Sequence, residues 1–372
     1  DAVVVRSHDM HAMSIPGSRK AVARAGAGVN NIPVARLSAL GIPVFNTPGA
    51  NANAVKELVL AGMLLGARNI CQAWSYAREL RLEGDALTFE IEKAKRRFSG
   101  LELPGRRLAI IGLGAVGVEV ANAALVLGMR VRGYDPDMTV QRAWQLSSSV
   151  ERAATLGDAL SGAEFISVHV PLSDATRHLI GAERLRTVAR HAVLLNFSRS
   201  GIVDEEALLS ALEARALHAY VCDFPTARIK DHPNVIALPH IGASTKEAQD
   251  NCAMMAAERL REFLEEGNVR SSVNFPEVVM PRANDGEDAM TVASDGDPDG
   301  GGSRLVVVNA NVPNMLGQIS STIARDGLNI VDMLNKSRGE VAYTLTDLSK
   351  PIGSETLAQL AAIDGVLSVR AI

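Results

Sequence analysis

The chain has 372 residues, 47% of them apolar, and a formal charge of -4. That length allows two or three domains with sizeable cores, and the slightly acidic balance excludes the basic field of a nucleic-acid binder. No run of about 18 uninterrupted apolar residues marks a membrane span. Cys71, Cys222 and Cys252 lie far apart without a CxxC pair, which fits neither a disulfide framework nor a zinc site and suits a reducing compartment, the cytoplasm.

The chain begins at Asp1, without a Met, and runs directly into an apolar strand at Ala2 to Val5; part of the natural N-terminus is expected to precede it. Strands follow at Ala21 to Ala25 and Ile42 to Phe45, with helices at Pro33 to Leu40 and Ala54 to Ile70. Pro104-Gly105 breaks the pattern. A second series predicts strands at Leu108 to Gly112, Arg130 to Tyr134, Phe165 to Val168, Val193 to Asn196, His218 to Cys222 and Val235 to Leu238, with helices at Val116 to Leu127 and Glu205 to Ala214. These strands are continuous apolar runs, the pattern of a parallel sheet covered on both faces. A long helix is predicted from Thr245 to Glu266. Residues 277–303, rich in Pro, Gly and Asp, read as a flexible linker. The last 69 residues, 304–372, give the order strand, helix, strand, strand, helix, strand.

Gly112-Leu113-Gly114-Ala115-Val116-Gly117 follows one predicted strand and opens a helix, which is the context a dinucleotide fingerprint requires. Gly112 permits the turn, Gly114 lets a pyrophosphate approach the backbone, and Gly117 lets helix and strand pack closely. The helix N-terminus offers free N–H groups to the phosphates. Asp135, at the end of the next strand, has the spacing of the acid that binds an adenosine ribose and favours NAD over NADP.

Four stretches then carry a family resemblance: Arg24-Ala25-Gly26-Ala27-Gly28-Val29-Asn30-Asn31, Phe45-Asn46-Thr47-Pro48-Gly49-Ala50-Asn51, Asn196-Phe197-Ser198-Arg199-Ser200-Gly201-Ile202-Val203-Asp204, and Pro239-His240-Ile241-Gly242-Ala243-Ser244-Thr245. With the glycine motif they resemble the D-2-hydroxyacid dehydrogenase family, most closely its branch acting on 3-phosphoglycerate. The resemblance implies an α/β fold of two doubly wound, Rossmann-like domains, with a nucleotide domain (99–239) inserted into a substrate domain (1–98 and 240–276). It also implies NAD as cofactor and oxidation of 3-phospho-D-glycerate to 3-phosphohydroxypyruvate, the opening step of serine synthesis. The alternatives are another D-2-hydroxy acid as substrate, or a non-catalytic sensor of NAD or serine. A homodimer or homotetramer is expected, with no metal, nucleic acid or membrane partner.

His240 is the candidate acid/base, because imidazole titrates near neutrality. Arg199, at a strand end, is the candidate anchor for the substrate carboxylate. Gly26, Ala27 and Gly28 are expected to offer N–H groups to that carboxylate. By resemblance, Ala115, Val116, Val170, Phe197, Ser198, Asp223, Gly242 and Ala243 border the cofactor, together with Arg199, His240 and Thr47. Arg6 and Arg24 are the candidate phosphate ligands. His169 is expected to line the cofactor crevice, and His8 to lie near substrate.

Two departures stand out. The family carries a glutamate that pairs with the histidine, where this chain has Ala227 within Phe224-Pro225-Thr226-Ala227-Arg228-Ile229-Lys230-Asp231; either another acid such as Asp231 serves His240, or none does. Ser200 stands where the family usually has Gly. Residues 304–372 resemble an ACT domain, a small ferredoxin-like regulatory module. Asn311 and Asn329 are its candidate serine-binding residues, and Asn314, in the loop Asn309 to Gly317, replaces a Gly.

Overall fold

The computed structural model describes residues 1–281 and 302–372; most of the linker reading lies on 282–301, outside the described residues. Contacts divide the chain into two units, Asp1–Ala50 with Gln249–Ile372, and Asn51–Ala248. No helix among the described residues is long and apolar enough to cross a membrane.

The first unit opens with β1 (Ala2–Val5), β2 (Ala21–Arg24), α1 (Val34–Ala39) and β3 (Val44–Phe45). The three strands form a parallel sheet in the order β1-β2-β3. β3 is shorter than its apolar run suggests, because the Ile42 N–H is donated to Leu37 O to close the end of α1.

The second unit begins with α2 (Ala52–Arg68), α3 (Ile70–Glu79) and α4 (Gly84–Ala94). α2 stops at Asn69, a left-handed cap at φ 50° whose N–H returns to Leu65 O, as such helix ends commonly do. α3 and α4 carry a weak sequence signal, since Trp74, Phe89 and Ile91 are exposed. The series continues with β4 (Arg107–Ile111), α5 (Ala115–Val126), β5 (Arg130–Tyr134), α6 (Val140–Gln145), β6 (Glu151–Arg152), α7 (Leu156–Leu160), β7 (Phe165–Val168), α8 (Ala182–Leu185), β8 (Ala192–Asn196), α9 (Glu205–Glu213), β9 (Leu217–Cys222) and β10 (Val235–Ala237).

These strands make one parallel sheet in the order β10-β9-β8-β7-β4-β5-β6. The sequence order reverses between β4 and β7, the switch point outside which doubly wound sheets bind ligands. Separate apolar clusters cover the two faces, which is why β7 and β8 are buried at every position. α2 lies on the first face: a Cβ at Gly62 would come within 2.8 Å of the Phe197 ring, and one at Gly66 within 2.9 Å of Val193. Residues 51–98, read from the sequence with the substrate domain, thus cluster here with the seven-stranded sheet.

α10 (Lys246–Glu266) is followed by β11 (Arg304–Ala310), α11 (Met315–Arg325), β12 (Ile330–Arg338), β13 (Val341–Leu348), α12 (Ser354–Ala361) and β14 (Val366–Ala371). The last four strands form an antiparallel sheet in the order β12-β13-β11-β14, the ferredoxin-like arrangement expected of an ACT-like module. Within the first unit this sheet shares a core with β2, β3 and α10 through Ala23, Phe45, Phe263, Val306 and Tyr343. Its side chains also close the carbonyl end of α10. Arg370 donates to Phe263 O and Leu264 O at 2.6 and 2.8 Å, Arg304 to Glu266 O at 2.9 Å, and the Tyr343 hydroxyl to Gly267 O at 2.5 Å. The last turn of a helix leaves these acceptors without intrahelical partners, and cations there also complement its dipole.

Candidate active site

The seven-stranded sheet brings six loops to its carboxyl edge, after β4, β5, β7, β8, β9 and β10, and the site is built on them. The first joins β4 to α5. Gly112 has φ +92°, and a Cβ there would lie 2.9 Å from His169 backbone atoms and from Val170 Cγ1. At Gly117 a Cβ would fall 1.9 Å from Gly112 O, whereas at Gly114 it would meet nothing within 4 Å. The turn is therefore closed against its own chain at two glycines and open at the third. Gly114 is the N-cap of α5 without a side-chain cap, so the first N–H groups of that helix remain for an anion. Ala115 and Val116 form its first turn.

Asp135 ends β5. Its Oδ2 accepts from the Leu113 N–H at 2.7 Å and its Oδ1 from the Asp137 N–H at 2.9 Å. The carboxylate thus fixes the glycine turn while each oxygen keeps lone-pair capacity for ribose hydroxyls. Open glycine, uncapped helix and strand-end acid together fit a dinucleotide. After β7, the ring of His169 hydrogen-bonds Ser167 Oγ at 2.8 Å. Burial pushes this imidazole down to about 4, so it is neutral at physiological pH.

Beyond β8, Asn196 organises the arginine loop. Its Nδ2 donates to Arg199 O at 2.8 Å and to the Tyr220 hydroxyl at 3.1 Å, while its Oδ1 accepts from the Ser198 N–H. Ser198 Oγ donates to Val168 O at 2.7 Å, tying the β7 and β8 loops. The Phe197 side chain is buried against Gly62. The Arg199 side chain is exposed, and its guanidinium carbon sits 5.0 Å from the centroid of the Phe224 ring.

Asp223 follows β9 and is 1% exposed. Its two oxygens accept from the N–H groups of Ile241 and Gly242 at 2.8 and 2.7 Å. A Cβ at Gly242 would sit 3.0 Å from that carboxylate, which explains the glycine; Ala243 follows it, half-buried. This clamp grips the loop after β10 immediately beyond His240, itself at φ +56°, a conformation uncommon outside glycine and one that needs support from its surroundings. The imidazole also packs on Phe224, with ring centroids 4.4 Å apart and planes inclined by 46°. The predicted pair Arg199 and His240 is thus brought together on one phenyl ring. Within 51–248 no carboxylate hydrogen-bonds the imidazole; Asp231 is exposed and paired with Lys230 Nζ at 2.6 Å, and Ala227 is exposed. Phe224 and Asn196 are the residues that sequence reasoning missed. The available signals were a polar residue ending a fully apolar strand and an aromatic one directly after the strand-end acid.

The remaining predicted residues lie in the first unit, at the carboxyl edges of β1, β2 and β3. Arg6 and His8 follow β1, where their carbonyls accept from Asn31 Nδ2. The Arg24 side chain lies over Gly26, where a Cβ would be 2.1 Å from Nη1. Gly26 O accepts from the Thr47 N–H at 3.2 Å, and Ala27 O from Asn46 Nδ2 at 2.6 Å, so the Gly26 to Gly28 loop is bound to the β3 loop. The Thr47 side chain is fully buried with a hydroxyl that has no partner.

In the C-terminal module, Asn314 has φ +68°, as an Asn replacing Gly should. The Asn311 N–H donates to Glu340 O, at the start of β13, and Asn329 O accepts from the Ser349 N–H just past its end. The two amides are therefore a strand length apart, ~25 Å at the usual rise, and one copy cannot put both on one amino acid.

Residues 60–242 match the model of the D-isomer specific 2-hydroxyacid dehydrogenase, NAD binding domain. The chain is 34% identical to the D-3-phosphoglycerate dehydrogenase of Methanocaldococcus jannaschii over 89% of its own length, and spans 58% of that relative. It is 30% identical to the D-3-phosphoglycerate dehydrogenase of Haemophilus influenzae over 92% of itself and 78% of the relative. Among solved structures, the NAD+-bound 3-phosphoglycerate dehydrogenase of Entamoeba histolytica aligns with a TM-score of 0.57 at 29% identity, covering 74% of this chain and 82% of that one. The glycine turn and strand-end acid fit the cofactor that the matched model is named for. The chain belongs to the D-isomer specific 2-hydroxyacid dehydrogenase family.

Proposed function

We propose that the chain is an NAD-dependent dehydrogenase that oxidises 3-phospho-D-glycerate to 3-phosphohydroxypyruvate. The observation that carries the reading is the placement of Arg199 and His240 against the same Phe224 ring, at the carboxyl edge of the nucleotide-binding sheet. The shared name of the relatives supports the substrate.

NAD, held by the Gly112 to Gly117 turn and Asp135, supplies the hydride acceptor. The Arg199 guanidinium grips the substrate carboxylate and polarises the C2 oxygen. His240 takes the proton of the C2 hydroxyl as the C2–H bond breaks, so that the alcohol becomes a carbonyl and the imidazole leaves positively charged. Gly26, Ala27 and Gly28 offer N–H groups to the carboxylate, and Arg6 and Arg24 receive the phosphate. Asn311 of one copy and Asn329 of another bind serine between two modules, which makes the working form at least a homodimer. The cytoplasm, with its reduced cysteines and its substrate, is the expected location.

Purified protein with NAD and a panel of D-2-hydroxy acids tests this through NADH absorbance. The expected result is turnover of 3-phosphoglycerate with a higher kcat/KM than glycerate, lactate or 2-hydroxyglutarate. Preference for an unphosphorylated acid overturns the substrate, and no turnover of any acid overturns the enzyme.

A further inference from the structure

We propose that Phe224 is a positioning residue, an aromatic platform that fixes the His240 ring and the Arg199 guanidinium relative to each other where the family uses a carboxylate. The proposal rests on the dehydrogenase reading and deepens it. Three observations meet at this side chain. It carries the Arg199 guanidinium carbon 5.0 Å from its centroid. It carries the His240 ring at 4.4 Å. It also follows Asp223 directly, whose carboxylate binds the N–H groups of Ile241 and Gly242.

Residues 223 and 224 thus divide one task. Asp223 holds the backbone of the histidine loop, and the phenyl ring restrains the side chain which that loop presents. The His240 backbone is left-handed, so its ring direction is not set by a regular element and needs a packing partner. A phenyl face also attracts a guanidinium through its quadrupole and takes an imidazole in a tilted aromatic contact. Both functional groups gain from one ring, and neither loses the donors it needs for substrate.

The platform also accounts for the missing glutamate. A carboxylate bonded to the imidazole orients the ring by a hydrogen bond. In this chain Ala227 is exposed and Asp231 is taken by Lys230, and the packing of Phe224 supplies orientation without a charge.

The test compares Phe224→Leu and Phe224→Tyr with the wild type. Phe224→Leu keeps the apolar volume and removes the ring face; kcat/KM for 3-phosphoglycerate should fall roughly 5- to 30-fold, as expected for two aromatic contacts. The loss should appear in both terms, a higher KM from the freed Arg199 and a lower kcat from the freed His240. Phe224→Tyr keeps the face and should restore most of the rate. NADH binding, followed by fluorescence, reports whether each variant is folded. A readout apart from turnover is the NMR signal of the His240 ring in protein carrying isotope-labelled histidine, assigned by its loss in His240→Asn. The ring-current displacement of that signal should be present in the wild type and in Phe224→Tyr and absent in Phe224→Leu. If Phe224→Leu binds NADH and matches an active wild type in kcat and KM, or leaves the His240 signal in place, the platform is overturned and the dehydrogenase reading stands. A wild type inactive on every 2-hydroxy acid removes both.

Discussion

Replacing His240 with asparagine should lower kcat by roughly 10²- to 10⁴-fold, the usual worth of a positioned acid/base. Asparagine is the informative substitution because position 240 sits at φ +56°, where Asn is tolerated better than most residues. The loop should therefore keep its Asp223 clamp and NADH should still bind, so the loss falls on proton transfer. Steady-state kinetics beside a fluorescence titration separate the two effects. Retention of kcat to within about ten-fold would assign the proton to another group, and His169 is a poor substitute, since its burial already holds it near 4.

The second large effect concerns stability. Arg304 is 2% exposed, and all five of its N–H donors are used. Two form a fork on the carboxylate of Asp347 at 2.6 and 2.7 Å, and the others reach Glu266 O, Met280 O and Pro281 O at 2.9 to 3.0 Å. Arg304→Ala leaves a buried carboxylate without its cation and three carbonyls without donors, a loss of about 3–5 kcal/mol. Hydrogen-exchange protection in β11, β13 and residues 267–280 should then drop by roughly 10²- to 10⁴-fold. Replacing both partners, as Arg304→Met with Asp347→Leu, should recover much of it, because an apolar pair of similar volume avoids the stranded charge. Unchanged protection in Arg304→Ala would mean that the C-terminal module is not fastened to the end of α10 by this residue.

Much of the fold was legible in the sequence because local pattern and tertiary role agree. β5 and β7 have the bounds the sequence predicts, Arg130–Tyr134 and Phe165–Val168, and the order of the last 69 residues came through intact. β7 is buried at every position, so its run is apolar apart from Ser167. α2 is different. Its periodic pattern runs through Asn69, and only the left-handed backbone there ends it. Asn does not announce such a stop as Gly does. In the candidate site, the glycine turn, Asp135, Arg199 and His240 were readable because each sits at a strand end with a motif around it. Phe224 was passed over in a segment notable for the lost glutamate, since its meaning depends on two separate loops reaching the same sheet edge. Arg304, Tyr343 and Arg370 were unreadable for the same reason. Apart from the Asp347 carboxylate, their acceptors are backbone carbonyls of residues far away in sequence, and a carbonyl leaves no trace in residue type.

The central claim is that one small hydroxy acid is held by Arg199 and worked on by His240. A crystal structure of the protein with NAD and 3-phosphoglycerate tests it most directly. The account predicts the substrate carboxylate on the Arg199 guanidinium and the C2 hydroxyl within hydrogen-bond reach of the His240 ring, with both side chains against Phe224. A substrate seated away from Arg199, or with C2 out of reach of His240, would contradict it.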